Sequence, residues 1–385
     1  MRRITLAVRL SLFCDATLYL VLVPLIPYYA DRFGLSKLDA GLVLAALPVT
    51  IMLTSVPLGI LANRIGFRRA VIGGNAAFAV ATVAFAFAPD VASLVIARSL
   101  QGLASAITWT ATIAWLTANT PVAERGQAVG TAMGVVSFGA VAGPAIGALG
   151  GASSPALAFL VVAVIAVVAM AAAWRAPAGS ADRVSAGGTI ATLRRVGRHP
   201  LVIAAVAIGL IDTFSAAAIN LLAPIGLDHA GYGSTAIGAA ITVGSLLGLS
   251  LARTSGRLCD RVGAGRVAVL FGSATVGLMA LLTLWPAPAM LLAALIAIGP
   301  LFAFLATAIY ALAAAGADAM HEPHSAPNGI LNLAWAGGLV VGQLGAGALG
   351  EHVSDRAAYG AATVLVAVLV RVIAVQRRRA LALST

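Results

Sequence analysis

Charge is what this 385-residue sequence has least of: Asp, Glu, Lys and Arg make up 10% of it, whereas 61% is hydrophobic and mean hydropathy is +1.01. Soluble domains carry about a quarter of their residues charged, so a water-soluble fold is excluded. Cysteine is nearly missing, with only Cys14 and Cys259, which excludes a disulfide framework and leaves no expectation of thiol chemistry. Segments of about ten residues alternating in polarity, the mark of an outer-membrane barrel, are absent. So is a Gly-x-x-x-x-Gly-Lys-Ser/Thr loop, and no nucleotide-driven step is expected. All five histidines fall in polar connections, and HEPH at His321 to His324 lacks the i, i+4 spacing of a zinc helix. With no constellation of nucleophile, base and metal, neither an enzyme nor a metal or cofactor site is expected.

What is present is a succession of apolar runs of roughly 20 residues, bounded by Gly, Pro or charge. They predict twelve membrane helices at 4–30, 38–62, 69–88, 91–118, 127–150, 155–175, 200–227, 234–256, 266–285, 289–316, 328–350 and 357–376. The first run is too long for a secretory signal and lacks a small-x-small cleavage site. Between the sixth and seventh runs lies the only long polar stretch, with Pro177, Gly179, Ser180, Gly187 and Gly188 among arginines. The division expected is a six-helix bundle at 1–175, a cytosolic linker at 176–199 and a second bundle at 200–385.

The formal charge of +11 does not point to nucleic acid, because the arginines occupy alternate loops rather than one face or tail. One set of loops carries Arg64, Arg68, Arg69, Arg257, Arg261 and the linker arginines, while the other is acidic. The positive-inside rule then places both termini in the cytosol. Abundant Ala, Gly and Arg with little Lys suggest a GC-rich bacterium and hence its plasma membrane.

Two acids interrupt this pattern. Asp15 stands near the middle of the first run, roughly 15 Å from either end at about 1.5 Å per residue. An ionisable group at that depth is rare and is a functional candidate by default. A shift of 197 positions superposes Asp15 on Asp212, Asp31 on Asp228, Gly34 on Gly231, Gly41 on Gly238, Gly59 on Gly256, Arg64 on Arg261 and Gly66 on Gly263. Two halves with the same orientation match the parallel-repeat plan of secondary transporters, whose substrate sites lie at the midplane. Asn220 shares a helix face with Asp212, two turns on. Near the start of the fourth run, Arg98 and Gln101 share a face at i, i+3, continued by Ser105 and Trp109. Arg98 reads either as an arginine reaching back to the membrane interface or as an inward charge near a carboxylate.

The loop after the second run reads GILANRIGFRRA, and its repeat reads GRLCDRVGAGRV. These resemble the Gly-x-Leu-x-Asp-Arg-x-Gly signature of the major facilitator superfamily, with Asn63 where the family usually has Asp and Asp260 retained in the second copy. The resemblance implies a gating role for Gly59, Asn63, Arg64, Gly66, Arg68, Gly256, Asp260, Arg261 and Gly263. The fifth run, GAVAGPAIGALGG, has small-xxx-small spacing that predicts close packing, and Pro144 predicts a bend. It also looks like the glycine-proline signature associated with antiporters of that superfamily, which draws in Gly143, Pro144 and Gly147. Asp15 followed by Pro24 and Pro27 is similar to the first helix of drug and proton antiporters, vesicular amine transporters in particular. This likeness covers roughly the first 150 residues.

The resemblance implies an all-α membrane protein with twelve helices in two parallel-repeat six-helix bundles. It also implies proton-coupled efflux of cationic or amphipathic compounds such as drugs or amines. Asp15, Tyr19, Arg98, Gln101, Trp109, Asp212 and Asn220 would form the substrate and proton site. The amine transporters' helix 2 lysine is Leu47 here, and their later acids fall at apolar positions such as Ala306 and Ala336, so monoamine specificity does not carry over. The expected partners are a small-molecule substrate, protons and the lipid bilayer, with the protein a monomer. Two alternatives stay open: a facilitator or symporter of a neutral or anionic metabolite, with Arg98 as the clamp, and a non-transporting membrane sensor or scaffold on the same fold.

Overall fold

The computed structural model describes residues 2–121, 124–179, 194–322 and 325–384. Among these residues there is no strand, and twelve helices are long and apolar enough to cross a membrane. They are α1 (Arg2–Phe33), α2 (Lys37–Ile65), α3 (Phe67–Ala86), α4 (Val91–Ala118), α5 (Arg125–Ala152), α6 (Pro155–Arg175), α7 (Pro200–His229), α8 (Ser234–Val262), α9 (Ala264–Leu284), α10 (Pro288–Ala319), α11 (Ser325–His352) and α12 (Asp355–Ser384). The middle of the expected linker, with Ser180, Gly187 and Gly188, lies outside the described residues.

Local chemistry explains the ends. Proline occupies the first turn of α6, α7 and α10, where its missing N–H costs nothing. Asp90 caps α4: its Oδ1 accepts from the Ser93 backbone N–H at 2.7 Å, and the Asp90 N–H donates back to Ser93 Oγ at 3.1 Å. The first run is not one uniform helix. A 3-10 turn at Val23–Leu25 interrupts α1, because Pro24 and Pro27 lack the donors that would continue the i→i−4 ladder.

The 197-residue repeat is written into the backbone. Gly34 and its mate Gly231 have φ of +61° and +86°, and Gly66 and its mate Gly263 have +89° and +92°. These are left-handed conformations open to glycine and strained for other residues, so each pair marks the same turn made twice. The repeat recurs in packing. Gly102 of α4 lies against the Leu47 carbonyl of α2, and Gly299 of α10 lies against the Gly244 carbonyl of α8, each residue 197 positions from its counterpart.

The chain forms two compact units. The first comprises Met1–Leu35, Leu42–Ala186 and Gly231–Thr242, and the second comprises Ser36–Gly41, Gly187–Ala230 and Val243–Thr385. In the first, Leu12 of α1, Phe67 and Val71 of α3, and Trp115 of α4 share a buried apolar core. In the second, Ile208 and Ile211 of α7, Val267 of α9, Phe304 of α10 and Ile373 of α12 do so, with Phe271 stacked on Phe304 at 3.8 Å. The start of α2 is held in the second unit by Lys37, whose Nζ lies 2.6 Å from Asp355 Oδ1 and whose backbone N–H donates to Glu351 Oε2.

Candidate functional site

Ser11, Asp15 and Tyr19 recur every four residues and therefore share one face of α1. A cluster of polar side chains from α3 and α4 meets this face inside the first unit. Arg98 is 1% exposed and so does not reach back to the membrane interface. Its Nη1 donates to Gln101 Oε1 at 3.0 Å, and Gln101 Nε2 donates to Thr82 Oγ1 at 3.4 Å. The Asp15 carboxylate interacts with the Ser105 side chain and with the Arg98 charge, and Tyr19 also lies within electrostatic range of Arg98. One turn earlier, Asn75 Nδ2 donates to Ser11 Oγ at 2.9 Å and to the Val71 carbonyl at 2.8 Å.

This arrangement answers a desolvation problem. An isolated buried charge costs many kcal/mol, so buried charges are found paired and hydrogen bonded. Arg98 and Asp15 compensate each other, and Gln101, Thr82 and Ser105 supply neutral dipoles around them. Two features keep the cluster from being closed: Arg98 Nε has no hydrogen-bond partner among the described residues, and Asp15 retains partial exposure. Trp109, further along α4, packs against the apolar core around Trp115.

Tight packing of α5 fixes the position of α1. Gly139, Gly143 and Gly147 form a stripe at i, i+4, i+8 that lies against backbone atoms of Phe13, Thr17 and Val21, the residues flanking Asp15. A Cβ built on Gly143 would stand 2.6 Å from the Thr17 carbonyl oxygen. Pro144 turns its carbonyl toward Gly238 of α8, whose own Cβ would meet it at 2.7 Å.

The second unit holds Asp212 on α7 at 9% exposure, with the Tyr310 hydroxyl of α10 in electrostatic range. Among the described residues, buried Asn220 Oδ1 has no hydrogen-bond partner, nor has Gln343 Oε1 of α11. Gly338 and Gly342 bring α11 onto α7 beside Thr213 and Phe214.

The repeated arginine loops differ in what they touch. Arg68 Nε donates to the Ala173 carbonyl at 3.2 Å, and Arg68 Nη2 donates to that of Trp174, so the first turn of α3 caps the end of α6. Asn63 and Arg64 are exposed, as are Asp260 and Arg261. Gly59 packs against Thr110 of α4, while Gly256 faces open space.

Thr82, Asn75 and Tyr310 belong to these clusters and were not singled out from sequence. Asn75 was detectable as an amide inside an apolar run; Thr82 and Tyr310 carry no such signal, because threonine satisfies itself within a helix and tyrosine is common at membrane boundaries.

Comparison with known proteins fits this architecture. The family model of the Major Facilitator Superfamily matches residues 9–322, and the chain belongs to that superfamily. It is a multi-pass membrane protein of a transporter family. The MFS-type transporter ppzB of Metarhizium rileyi is 31% identical over 173 residues, 43% of this chain and 35% of that protein. The probable vesicular acetylcholine transporter-B of Danio rerio is 36% identical over 157 residues, covering 38% and 32% of the two chains. The synaptic vesicular amine transporter of Mus musculus is 36% identical over 114 residues, covering 29% and 22%. The matched stretches thus span a third or less of the two vesicular transporters and little more than a third of ppzB. In overall fold the chain is similar to a bacterial homolog of the human lysosomal transporter Spinster, crystallised inward-facing and unoccupied, with TM-score 0.75, 15% identity and coverage of 97% and 96%.

Proposed function

We propose that this protein exchanges protons for a cationic or amphipathic small molecule, with Asp15 as the group at which the two compete. The observation that carries the reading is the setting of Asp15: a carboxylate in mid-helix, interacting with Arg98 and Ser105, yet partly accessible. A carboxylate removed from water is stabilised by any neutralising partner, and a proton and an organic cation are two such partners for one site. A proton arriving from an acidic exterior releases the cation, and losing that proton toward the cytosol restores the charge that binds the next one. Tyr19 adds an aromatic face one turn away. The names of the vesicular amine and acetylcholine relatives agree with a cationic substrate class.

In this scheme Gln101 orients Arg98, and Asp212 with Asn220 supplies the polar groups of the second half. The two glycine-arginine loops, through contacts such as Arg68 on α6, hold one state against the other. In the same reading both termini lie in the cytosol of a plasma membrane, an orientation that the arginine-rich loops support, the six-helix halves are joined by the 176–199 linker, and the protein acts as a monomer.

The test is exchange in proteoliposomes under an imposed pH gradient, using a panel of amines, cationic dyes and cationic antibiotics. Asp15→Asn is expected to insert and fold, to melt lower than the wild type because the buried Arg98 loses its counter-charge, and to lose proton-driven flux altogether. Equal flux by that variant overturns the assignment. Substrate-driven flux that leaves lumenal pH unchanged favours a facilitator.

A further inference from the structure

At the end of the first unit where α1 begins and α6 ends, four arginines surround one cavity. Arg2, Arg3, Arg68 and Arg175 line about 480 Å³, completed by Trp174, Ala176 and Pro177. Among the described residues no carboxylate lines it, and none of the four guanidinium groups is in an ion pair.

Part of this charge has a structural use. Arg68 donates to the Ala173 and Trp174 carbonyls, and Arg3 Nη1 donates to the Arg175 carbonyl at 3.5 Å, so these two residues cap the negative end of α6. That use consumes Nε and Nη2 of Arg68 and Nη1 of Arg3. Among the described residues, their remaining N–H groups and the guanidinium groups of Arg2 and Arg175 have no other acceptor, which leaves them available to a ligand. Four positive charges held together with no counter-charge among the described residues repel one another, and an anion occupying the cavity relieves that repulsion.

We propose that this cavity is a binding site for a phosphate-bearing anion. Guanidinium forks match phosphate oxygens in pairs, and basic pockets at the ends of membrane helices suit lipid headgroups. The Trp174 side chain, 67% exposed beside the cavity, is the type of residue that sits at headgroup level, so an anionic phospholipid is the source the surroundings favour over free phosphate.

The experiment uses the full chain, purified in detergent and stripped of lipid, with tryptophan fluorescence as the readout. Short-chain phosphatidylglycerol, short-chain phosphatidylcholine and inorganic phosphate are titrated separately. Phosphatidylglycerol is expected to give a saturable change absent from a Trp174→Phe control. The double variant Arg2→Gln/Arg175→Gln, which leaves the α6 cap intact, should weaken it about tenfold or more, and Arg2→Lys/Arg175→Lys, which keeps the charge but not the fork, should recover part of the loss. Saturation by inorganic phosphate at the same concentrations supports the site and assigns it to free phosphate. An equal response to phosphatidylcholine, or an unchanged response in the glutamine variant, overturns the proposal. If the glutamine variant does not fold, failure of the lysine variant to outperform a lipid-free baseline overturns it as well.

Discussion

Replacing Gly143 by alanine separates close packing from helix propensity, because α5 carries its own control. At Gly143 the new Cβ would lie 2.6 Å from the Thr17 carbonyl oxygen and 3.1 Å from Leu20 Cβ, while at Gly134 no atom of the described residues lies within 4 Å. Alanine is favoured over glycine in a helix by about 1 kcal/mol at either place. At Gly143 that gain is opposed by an overpacking cost of about 1–3 kcal/mol, since ordinary contact at 3.4 Å requires α1 to retreat by about 0.8 Å (3.4 − 2.6). Gly134→Ala should therefore be neutral or stabilising, and Gly143→Ala destabilising by up to about 2 kcal/mol. Because Thr17 is two residues from Asp15, the displaced α1 should also slow transport more than the stability loss accounts for. The assay is thermal unfolding of detergent-purified protein alongside flux in proteoliposomes. If the two alanine variants melt and transport alike, the contact of α5 with α1 does not constrain the site and the reasoning fails.

Arg68→Lys keeps the charge but loses the fork that reaches two carbonyls of α6, and should lower stability by about 1–2 kcal/mol; an unchanged melting temperature would show that only the charge matters. Gln101→Leu removes the acceptor of Arg98 Nη1 and the partner of Thr82, leaving a buried cation less satisfied; the expected loss is about 2 kcal/mol, and a variant as stable as the wild type would contradict the network. His199, at the start of α7, is held below its ordinary value of 6.5 by burial. Below that value the unfolded chain binds more protons than the folded one, so stability should be full above about pH 6.5 and decline as pH falls through it. Melting curves at several pH values should show this slope in the wild type and a shallower one in His199→Gln.

The amino-acid sequence was enough to count the membrane helices, because span length and apolar content are local properties of each run. It also exposed the repeat, since glycine at Gly34 and Gly231 and at Gly66 and Gly263 answers a backbone requirement that does not depend on distant residues. Asp15 and Arg98 stood out for the same reason: a charge among apolar neighbours is conspicuous without knowledge of its partner. Even the small-residue stripe of α5 announced that something packs closely there.

What it packs against was not legible. Glycine spacing says that two backbones approach but not which two, and only the tertiary structure set the stripe on Phe13, Thr17 and Val21 of α1. Likewise the acceptors of Arg68 lie 105 and 106 positions further along the chain. Thr82 became part of the Arg98 network only because α3 runs beside α4. Membrane helices are individually stable in lipid, so their pattern along the chain is fixed by sequence. Their pairing is decided by which small and polar surfaces fit together once all of them are in place.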